Sequence, residues 1–392
     1  MRSSRAGFTR RATAWIVRAS LALAALAFTA SSRALAGEEE PSEHRAPAEQ
    51  GALEFHGYGD FHYNNPAIGT MSSSTPSEAD IHGLSLEWEY EFTEAIRFEG
   101  EVDYEHAGKE LEVEEAFLDV DLSPTVTLRT GGVLVPVGPL NEAHEPTEYL
   151  SVERPYVEQT IVPTTWQEIG VGLVGRVRGA PASYRVYVVS GLDALRFTAM
   201  QGIRDGRGGG AEAKAETVAG VGRIVVGHED GLSAGGSAYY GGAGQGRPGL
   251  DRVFVRIGAV DARYHRGGLD VRALAAGVTL TGAGRVSAFT GETVGSRMVG
   301  WLGEAAYDLL RRDRGASRGR ALFVFARHER FDTNDRVARG YAPEPAADRR
   351  VTTAGAAFYP IPRIAFKADY EHWKDGSGAR LDRVNLGLAF RF

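Results

Sequence analysis

The residues from His82 to Glu105 alternate between two chemically opposite sets, and this alternation restricts the fold more than any other part of the sequence. One set is mainly apolar and aromatic: His82, Leu84, Leu86, Trp88, Tyr90 and Phe92, followed after a short turn by Ile96, Phe98, Gly100, Val102 and Tyr104. The other set carries acidic residues at a density that no protein core accepts without partners. A period of two predicts a β-hairpin with one apolar face and one face in water.

The same alternation recurs along the chain and predicts an all-β protein. We count sixteen strands between Ala52 and Phe392, with mostly long connections after odd-numbered strands and mostly short ones after even-numbered strands. The aromatic residues near strand ends are typical of strands that cross a lipid bilayer. We therefore predict a transmembrane antiparallel β-barrel with long outer loops and short periplasmic turns. A change of parity at Glu114 and Glu115 predicts a β-bulge in the fourth strand.

The N-terminal residues predict export. In residues 1–36, arginines precede the apolar run 21–30 and a small-residue cleavage site follows it, so this segment is predicted to be a secretory signal peptide. Residues 37–50 are predicted to be a disordered acidic lead-in, and 51–392 the barrel. Removing residues 1–36 takes away six arginines and no acids, so the formal charge changes from −7 to −13. An acidic mature chain argues against a nucleic-acid partner. An exported β-barrel is expected in the outer membrane of a Gram-negative cell.

The segment EEAFLDVDLSPTVTLRTGGVLVPVG at 114–138 resembles a stretch of the phosphate-selective porin O/P-like family. The matching positions are Glu115, Ala116, Pro124, Leu128, Arg129, Gly131, Pro136 and Gly138. The resemblance implies a porin barrel with a long third outer loop, and it makes a homotrimer possible. Phosphate selectivity in that family depends on basic residues at the constriction, particularly a lysine cluster, whereas this chain has few lysines.

The inward positions predict a polar lumen with two unlike walls. Strands two to four place acidic residues there: Glu87, Glu89, Glu99, Glu101, Asp103 and Asp119. Later strands contribute mostly arginines: Arg129, Arg176, Arg178, Arg185, Arg223 and Arg263. Opposed walls of acid and arginine would produce a transverse field that orients polar solutes. The alternative interpretation is that these charges are solvated or pair with each other across neighbouring strands.

The connection at 136–166 is the predicted constriction loop. Its charged candidates are Glu142, His144, Glu145, Glu148, Glu153, Arg154 and Glu158, and it also has aromatic residues that could fix it against the wall. A long loop in a compact domain is usually functional or disordered. The alternative is an outer surface loop that never enters the lumen.

These patterns favour a water-filled channel for passive diffusion of small hydrophilic solutes or ions. The alternative function is a plugged structural or receptor barrel without an open pore. The expected partners are the lipid bilayer and the barrel-assembly machinery, which would recognise the alternating last strand ending at Phe392. His56, Asp60 and His62 come nearest to a metal site but lack an established spacing, so we predict no metal, no cofactor and no enzyme activity.

Overall fold

The computed structural model describes residues 51–68, 76–210, 213–311 and 319–392. The predicted signal peptide (1–36) and acidic lead-in (37–50) lie outside these residues. Sixteen strands are present: β1 (Leu53–Ile68), β2 (Glu78–Thr93), β3 (Ile96–Glu105), β4 (Glu110–Ser123), β5 (Val126–Leu134), β6 (Gln167–Arg176), β7 (Ala182–Ser190), β8 (Val218–Gly227), β9 (Gly231–Gly242), β10 (Phe254–Arg266), β11 (Leu269–Thr281), β12 (Gly295–Asp308), β13 (Ala321–Val337), β14 (Asp348–Ile361), β15 (Ile364–Asp375) and β16 (Arg380–Arg391). Two short helices, α1 (Tyr156–Thr160) and α2 (Ala283–Thr290), lie in connections.

Each strand pairs antiparallel with its neighbours in sequence, and β1 pairs with β16 to close the sheet. The last residue takes part in this closure, because the Phe392 amide donates to the Gly57 carbonyl at 2.8 Å and the Gly57 amide donates to the Phe392 carbonyl at 3.2 Å. A Cβ at position 57 would lie 2.6 Å from the Phe392 ring, so glycine leaves room for that ring. The predicted closed sixteen-stranded antiparallel barrel is confirmed.

The outer face of the barrel is apolar. Leu86, Trp301, Phe366 and Leu386 are among the large side chains that remain between 40% and 52% exposed there. Apolar groups in this position match strands whose outer neighbour is lipid rather than water. Among the described residues, no helix has the length and apolar character needed to cross a membrane.

Two local irregularities change which residues point inward. The expected bulge in β4 is present, since Glu101 pairs with Glu115 while Val102 pairs with Val113, which leaves Glu114 as the extra residue. A second bulge lies in β2, where Asp60 pairs with Gly83 and Phe61 pairs with Ile81. The placement of His82 on the apolar face was therefore wrong, because one extra residue in a strand reverses the direction of its side chain.

The interior is largely filled. A continuous apolar cluster joins the inward faces of the middle strands to the connections that follow β5, β7, β9 and β11. Its strand members include Tyr187, Val189, Val221, Tyr239, Val255, Ile257, Leu274, Val278, Met298, Leu302 and Phe331. These strands are apolar on both faces, as expected for strands between lipid and a packed interior. Open space is therefore confined to the remaining part of the lumen.

Candidate functional site

The connection between β5 and β6, residues 135–166, folds into the lumen; we call it the inner loop. Asn141 closes its base, because the side-chain amide donates to the carbonyls of Val135 at 2.7 Å and Trp166 at 2.9 Å. The side-chain oxygen of Asn141 accepts a hydrogen bond from the Trp166 backbone amide at 2.7 Å. One buried side chain thereby holds both ends of a 32-residue segment together, counted from 135 to 166.

The tip of the inner loop is attached to the wall formed by β13 to β16. The amide of Val152 donates to Asp369 at 2.6 Å, and the amide of Val157, at the start of α1, donates to Glu329 at 3.0 Å. The Lys367 ammonium donates to the carbonyls of Pro146 at 2.5 Å and Ser151 at 2.9 Å. These contacts satisfy backbone groups that would otherwise be buried without partners.

His144 attaches the inner loop to the opposite, acidic wall. Its Nε2 atom lies 2.8 Å from the Tyr58 hydroxyl and 3.2 Å from a Glu114 oxygen, and Tyr58 donates to Glu101 at 2.5 Å. Burial would lower the pKa of His144, but Glu114 and Glu101 raise it well above its usual value. The protonated imidazolium therefore bridges the loop to β1, β3 and β4.

The remaining face of the inner loop is apolar and packs against the middle strands. Val157, Ile161, Val162 and Trp166 are all 0% exposed. Gly300 of β12 faces two of them, since a Cβ there would lie 2.9 Å from Ile161 and 3.0 Å from Val157. The loop thus contacts the acidic wall, the middle strands and the last strands, and spans the lumen.

The predicted acidic residues point inward, and they fall into a partly exposed group and a buried group. Glu87, Glu89 and Glu99 are partly exposed on β2 and β3, where Glu87 lies opposite Glu101 and Glu89 opposite Glu99. Asp103 is buried and accepts the Ser85 hydroxyl at 2.8 Å. Glu101 and Asp103 are buried and hydrogen-bonded, to Tyr58 and Ser85 respectively. We therefore assign them to the packed interior rather than to the open part of the lumen.

Four of the six predicted arginines pair with acids near them instead of forming a separate basic wall. Arg129 binds Asp119 on the adjacent strand at 2.8 Å, Arg223 binds Asp261 at 2.6 Å, and Arg263 binds Asp270 at 2.6 Å. Arg185 binds Glu142 of the inner loop at 2.6 Å. Arg176 is exposed at the end of β6, and Arg178 lies in the following turn, beyond the strand to which the sequence assigned it. Short range neutralisation of this kind weakens any field across the lumen.

The other charged residues of the inner loop lie on different sides of it. Arg391 contacts Glu148 at 3.1 Å and Glu145 at 3.4 Å near the periplasmic end. Glu153 lies 3.5 Å from His62 Nδ1, and it borders the outer cavity described below together with Arg154. Glu158 is 4% exposed and accepts the Leu140 amide at 3.1 Å. Burial raises the pKa of Glu158 to about 8.

Three cavities lie in series along the inner loop. The outer cavity, of about 550 Å³, opens beside β3 and β4 and includes Tyr149 in its lining. A middle cavity of about 200 Å³ lies on the other side of Tyr149 and is also lined by Glu158 and Arg272. A periplasmic cavity of about 810 Å³ shares Glu148 and Arg263 with the middle one. Tyr149 is common to the linings of the outer and middle cavities, and we infer that it separates them. Its side chain is 3% exposed and has the Lys367 ammonium 4.1 Å from its ring centre.

The outer cavity has unlike charges on its two sides. Glutamates of β3 and β4 face arginines of the inner loop and of the connection 191–217: Glu105, Glu110, Glu112 and Glu114 against Arg154, Arg196, Arg204 and Arg207. Arg204 donates to the carbonyls of Gln159 and Thr164, and Arg207 donates to those of Pro163 and Thr165. Carbonyls leave the positive charge of a guanidinium in place, so a transverse field arises here between a strand wall and two loops.

Sequence reasoning missed the charged residues on β13 and β15. Arg327 and Glu329 are buried, with Arg327 Nε 2.8 Å from Glu329, and Asp369 and Glu371 bind the inner loop on β15. A signal was available, because these charges recur at alternate positions of predicted strands. Arg204 and Arg207 carried no such signal, since their position depends on how a glycine-rich connection folds inward.

Within the part of the chain that the structure describes, two groups of side chains have the atoms to hold a metal ion: Asp60, His62 and His82, and Glu101, Glu114 and His144. The second group already shares the hydrogen bonds around Tyr58. The first group lies beside the outer cavity, whose lining includes His62 and His82.

The fold is that of solved outer-membrane porins. OmpF of Salmonella typhi has a TM-score of 0.59 at 11% identity, with 88% of this chain and 98% of that chain covered. The outer membrane channel DcaP of Acinetobacter baumannii has a TM-score of 0.56 at 13% identity, covering 87% and 97%. OmpT of Vibrio cholerae, in a trimer form, has a TM-score of 0.54 at 10% identity, covering 88% and 100%. At these identities the likeness extends to the fold alone.

No known family profile matches the sequence. A protein of Aquifex aeolicus (strain VF5), described as uncharacterized, is 34% identical over an alignment of 355 residues, and the alignment covers 85% of this chain and 79% of the relative. That identity extends over most of the barrel. The chain therefore belongs to the same protein family as the Aquifex aeolicus protein, and its barrel has the porin fold.

Proposed function

We propose that the protein is an outer-membrane channel for passive diffusion of small hydrophilic solutes or ions. The observation that carries this proposal is the series of three cavities, which enter from both ends of the barrel and are interrupted at Tyr149. Acidic and basic side chains line the outer cavity, so it suits water and polar solutes and disfavours apolar ones.

The pathway follows the inner loop from the acidic wall to the periplasmic end. At its outer end, solutes pass between the glutamates of β3 and β4 and the arginines of the two loops. A phosphate-selective constriction has less support, because the one lysine near the loop tip, Lys367, is buried and donates to loop carbonyls. We therefore assign selectivity to the outer cavity, whose described lining carries both acidic and basic side chains. Phosphate selectivity, which the family resemblance implies, remains a prediction.

The test is single-channel conductance of the refolded protein in planar bilayers under a salt gradient. Glu110→Gln and Glu112→Gln remove negative charge from the outer cavity and should move the reversal potential toward anions. Glu94→Gln is the matched control, because Glu94 is exposed in the tight turn after β2, at the opposite end of the same wall. An equal shift in the control would contradict a role for the outer cavity.

A plugged structural or receptor barrel is the second candidate function. It is favoured by the attachment of the inner loop to both walls through His144, Asp369 and Glu329. A folded, heat-resistant barrel without conductance would support this candidate and overturn the channel. The predicted secretory signal and recognition of the Phe392 strand by the assembly machinery remain parts of the proposal, as does a homotrimer like the trimer form of OmpT.

A further inference from the structure

Asp60, His62 and His82 converge at the outer end of the acidic wall. Asp60 and His62 point inward from alternate positions of β1, and the bulge in β2 turns His82 toward them. The two imidazole rings stack with their centres 4.2 Å apart. Without the bulge, His82 would face lipid with Leu84, so the irregularity creates the cluster.

The donor atoms have the spacing of metal ligands. Asp60 Oδ1 lies 3.3 Å from His82 Nδ1, and Asp60 Oδ2 lies 2.5 Å from His62 Nε2. One donor atom from each residue can be chosen so that all lie within 4.8 Å of one another. Tetrahedral coordination with zinc–nitrogen bonds of about 2.0 to 2.1 Å places neighbouring ligand atoms about 3.3 Å apart. A small movement of the side chains would bring the three donors to this geometry.

A buried polar atom in the cluster lacks a hydrogen bond. Asp60 is 3% exposed, and its Oδ2 atom accepts no hydrogen bond from the described residues even though His62 Nε2 is close. A buried carboxylate oxygen without a hydrogen bond calls for an explanation such as an ion. A cation coordinated by Asp60 Oδ2 and by an imidazole nitrogen of His62, after a small movement of the two side chains, would give this oxygen a partner.

The surroundings resemble the second layer of a metal site. Glu153 of the inner loop lies 3.5 Å from His62 Nδ1 and accepts the Asn64 amide at 2.9 Å. A carboxylate behind a histidine ligand fixes the ring and leaves its other nitrogen for the metal. The outer cavity, lined by His62 and His82, gives an ion access and leaves a position for water.

We propose that Asp60, His62 and His82 bind one divalent transition-metal ion of the zinc type at the entrance of the lumen. Two imidazoles and a carboxylate suit such ions, whereas Mg²⁺ and Ca²⁺ take mainly oxygen ligands. The cluster of Glu101, Glu114 and His144 offers a single nitrogen and is already bridged by Tyr58, so it is the poorer candidate. The proposed site requires only a folded barrel and does not depend on conductance.

The experiment is calorimetric titration of the refolded protein in detergent with Zn²⁺, accompanied by Co²⁺ titration followed by visible absorption. We expect one equivalent per chain and a tetrahedral or five-coordinate Co²⁺ spectrum. His62→Ala and His82→Ala should each weaken binding more than tenfold, and Glu153→Gln should weaken it about 10-fold to 100-fold as loss of a supporting carboxylate does.

The matched control is His265→Ala. Its Nδ1 atom also lies 3.3 Å from an aspartate, Asp270, but at the periplasmic end of the barrel. The proposal would be overturned if the wild type bound no metal ion, or if His62→Ala and His82→Ala bound it as tightly as the wild type. An equal loss of binding in His265→Ala would also overturn it. If His62→Ala does not give a heat-resistant barrel, His82→Ala decides, because the His82 side chain is 27% exposed within a bulge.

Discussion

Glu158 makes the stability of the protein depend on pH in a direction that can be predicted. It lies on α1 of the inner loop, is 4% exposed, and its carboxyl oxygen accepts only the Leu140 amide among the hydrogen bonds found in the described residues. Burial raises the pKa of its carboxyl group to about 8 from the usual value of 4.5. The folded protein therefore holds a proton on Glu158 at pH values where the unfolded chain has released it.

The magnitude follows from the difference between the two pKa values. Below pH 4.5 both states bind the proton and Glu158 contributes no pH dependence. Between pH 4.5 and about 8 the folded state alone binds it, so the free energy of unfolding falls by about 1.4 kcal/mol per pH unit. The total loss is about 5 kcal/mol at pH 8, and above that pH this contribution stays constant.

The assay is denaturant unfolding in detergent micelles at several pH values, comparing the wild type with Glu158→Gln. Glutamine keeps the acceptor for the Leu140 amide but cannot ionise, so the variant should lack the part of the pH slope that Glu158 contributes. The wild type should lose about 5 kcal/mol more than the variant between pH 4.5 and 8. Glu148→Gln, on the same loop, controls for removal of one acid. Parallel pH curves for wild type and Glu158→Gln would refute the reasoning.

Three further perturbations test the inner loop. Asn141→Ala leaves the ends of the loop without their buried partners and should lower the free energy of unfolding by about 1 to 3 kcal/mol, measured by the same denaturant titration. Glu329→Ala leaves the Arg327 guanidinium without its nearest acid and should cost about 3 to 5 kcal/mol, whereas Glu329→Ala combined with Arg327→Met should recover part of that loss. Tyr149→Ala should raise single-channel conductance while Tyr149→Phe leaves it unchanged; equal conductance in both would show that Tyr149 does not separate the cavities.

The barrel could be predicted from the sequence because the alternation of apolar and polar side chains is visible within each strand. A strand between lipid and water must alternate, and the segment from His82 to Glu105 does so over two strands. The closed sheet, the strand count and the bulge at Glu114 all followed from that rule. Local pattern was sufficient there, since the solvent on each side of the strand determines which residues it can carry.

The contents of the lumen could not be predicted in the same way. Arg185 and Glu142 are far apart in sequence, and their ion pair depends on the path of the inner loop. That path is decided by single contacts, such as Val152 to Asp369, that leave no periodic signal. The position of His82 shows the same difficulty within a strand, because a bulge shifts parity without any warning in composition.

The packing of the inner loop limits how a channel of this kind could open. Release of the loop would expose Val157, Ile161, Val162 and Trp166, which are 0% exposed. At about 1.5 to 3 kcal/mol for each fully buried large apolar side chain, that exposure costs about 6 to 12 kcal/mol before any hydrogen bond is broken. Ionisation of Glu158 offsets only about 5 kcal/mol of it, so the loop stays in place at pH 8. In the proposed channel, passage of solutes would therefore depend on a local displacement of Tyr149 between the cavities, with the rest of the inner loop acting as a fixed wall.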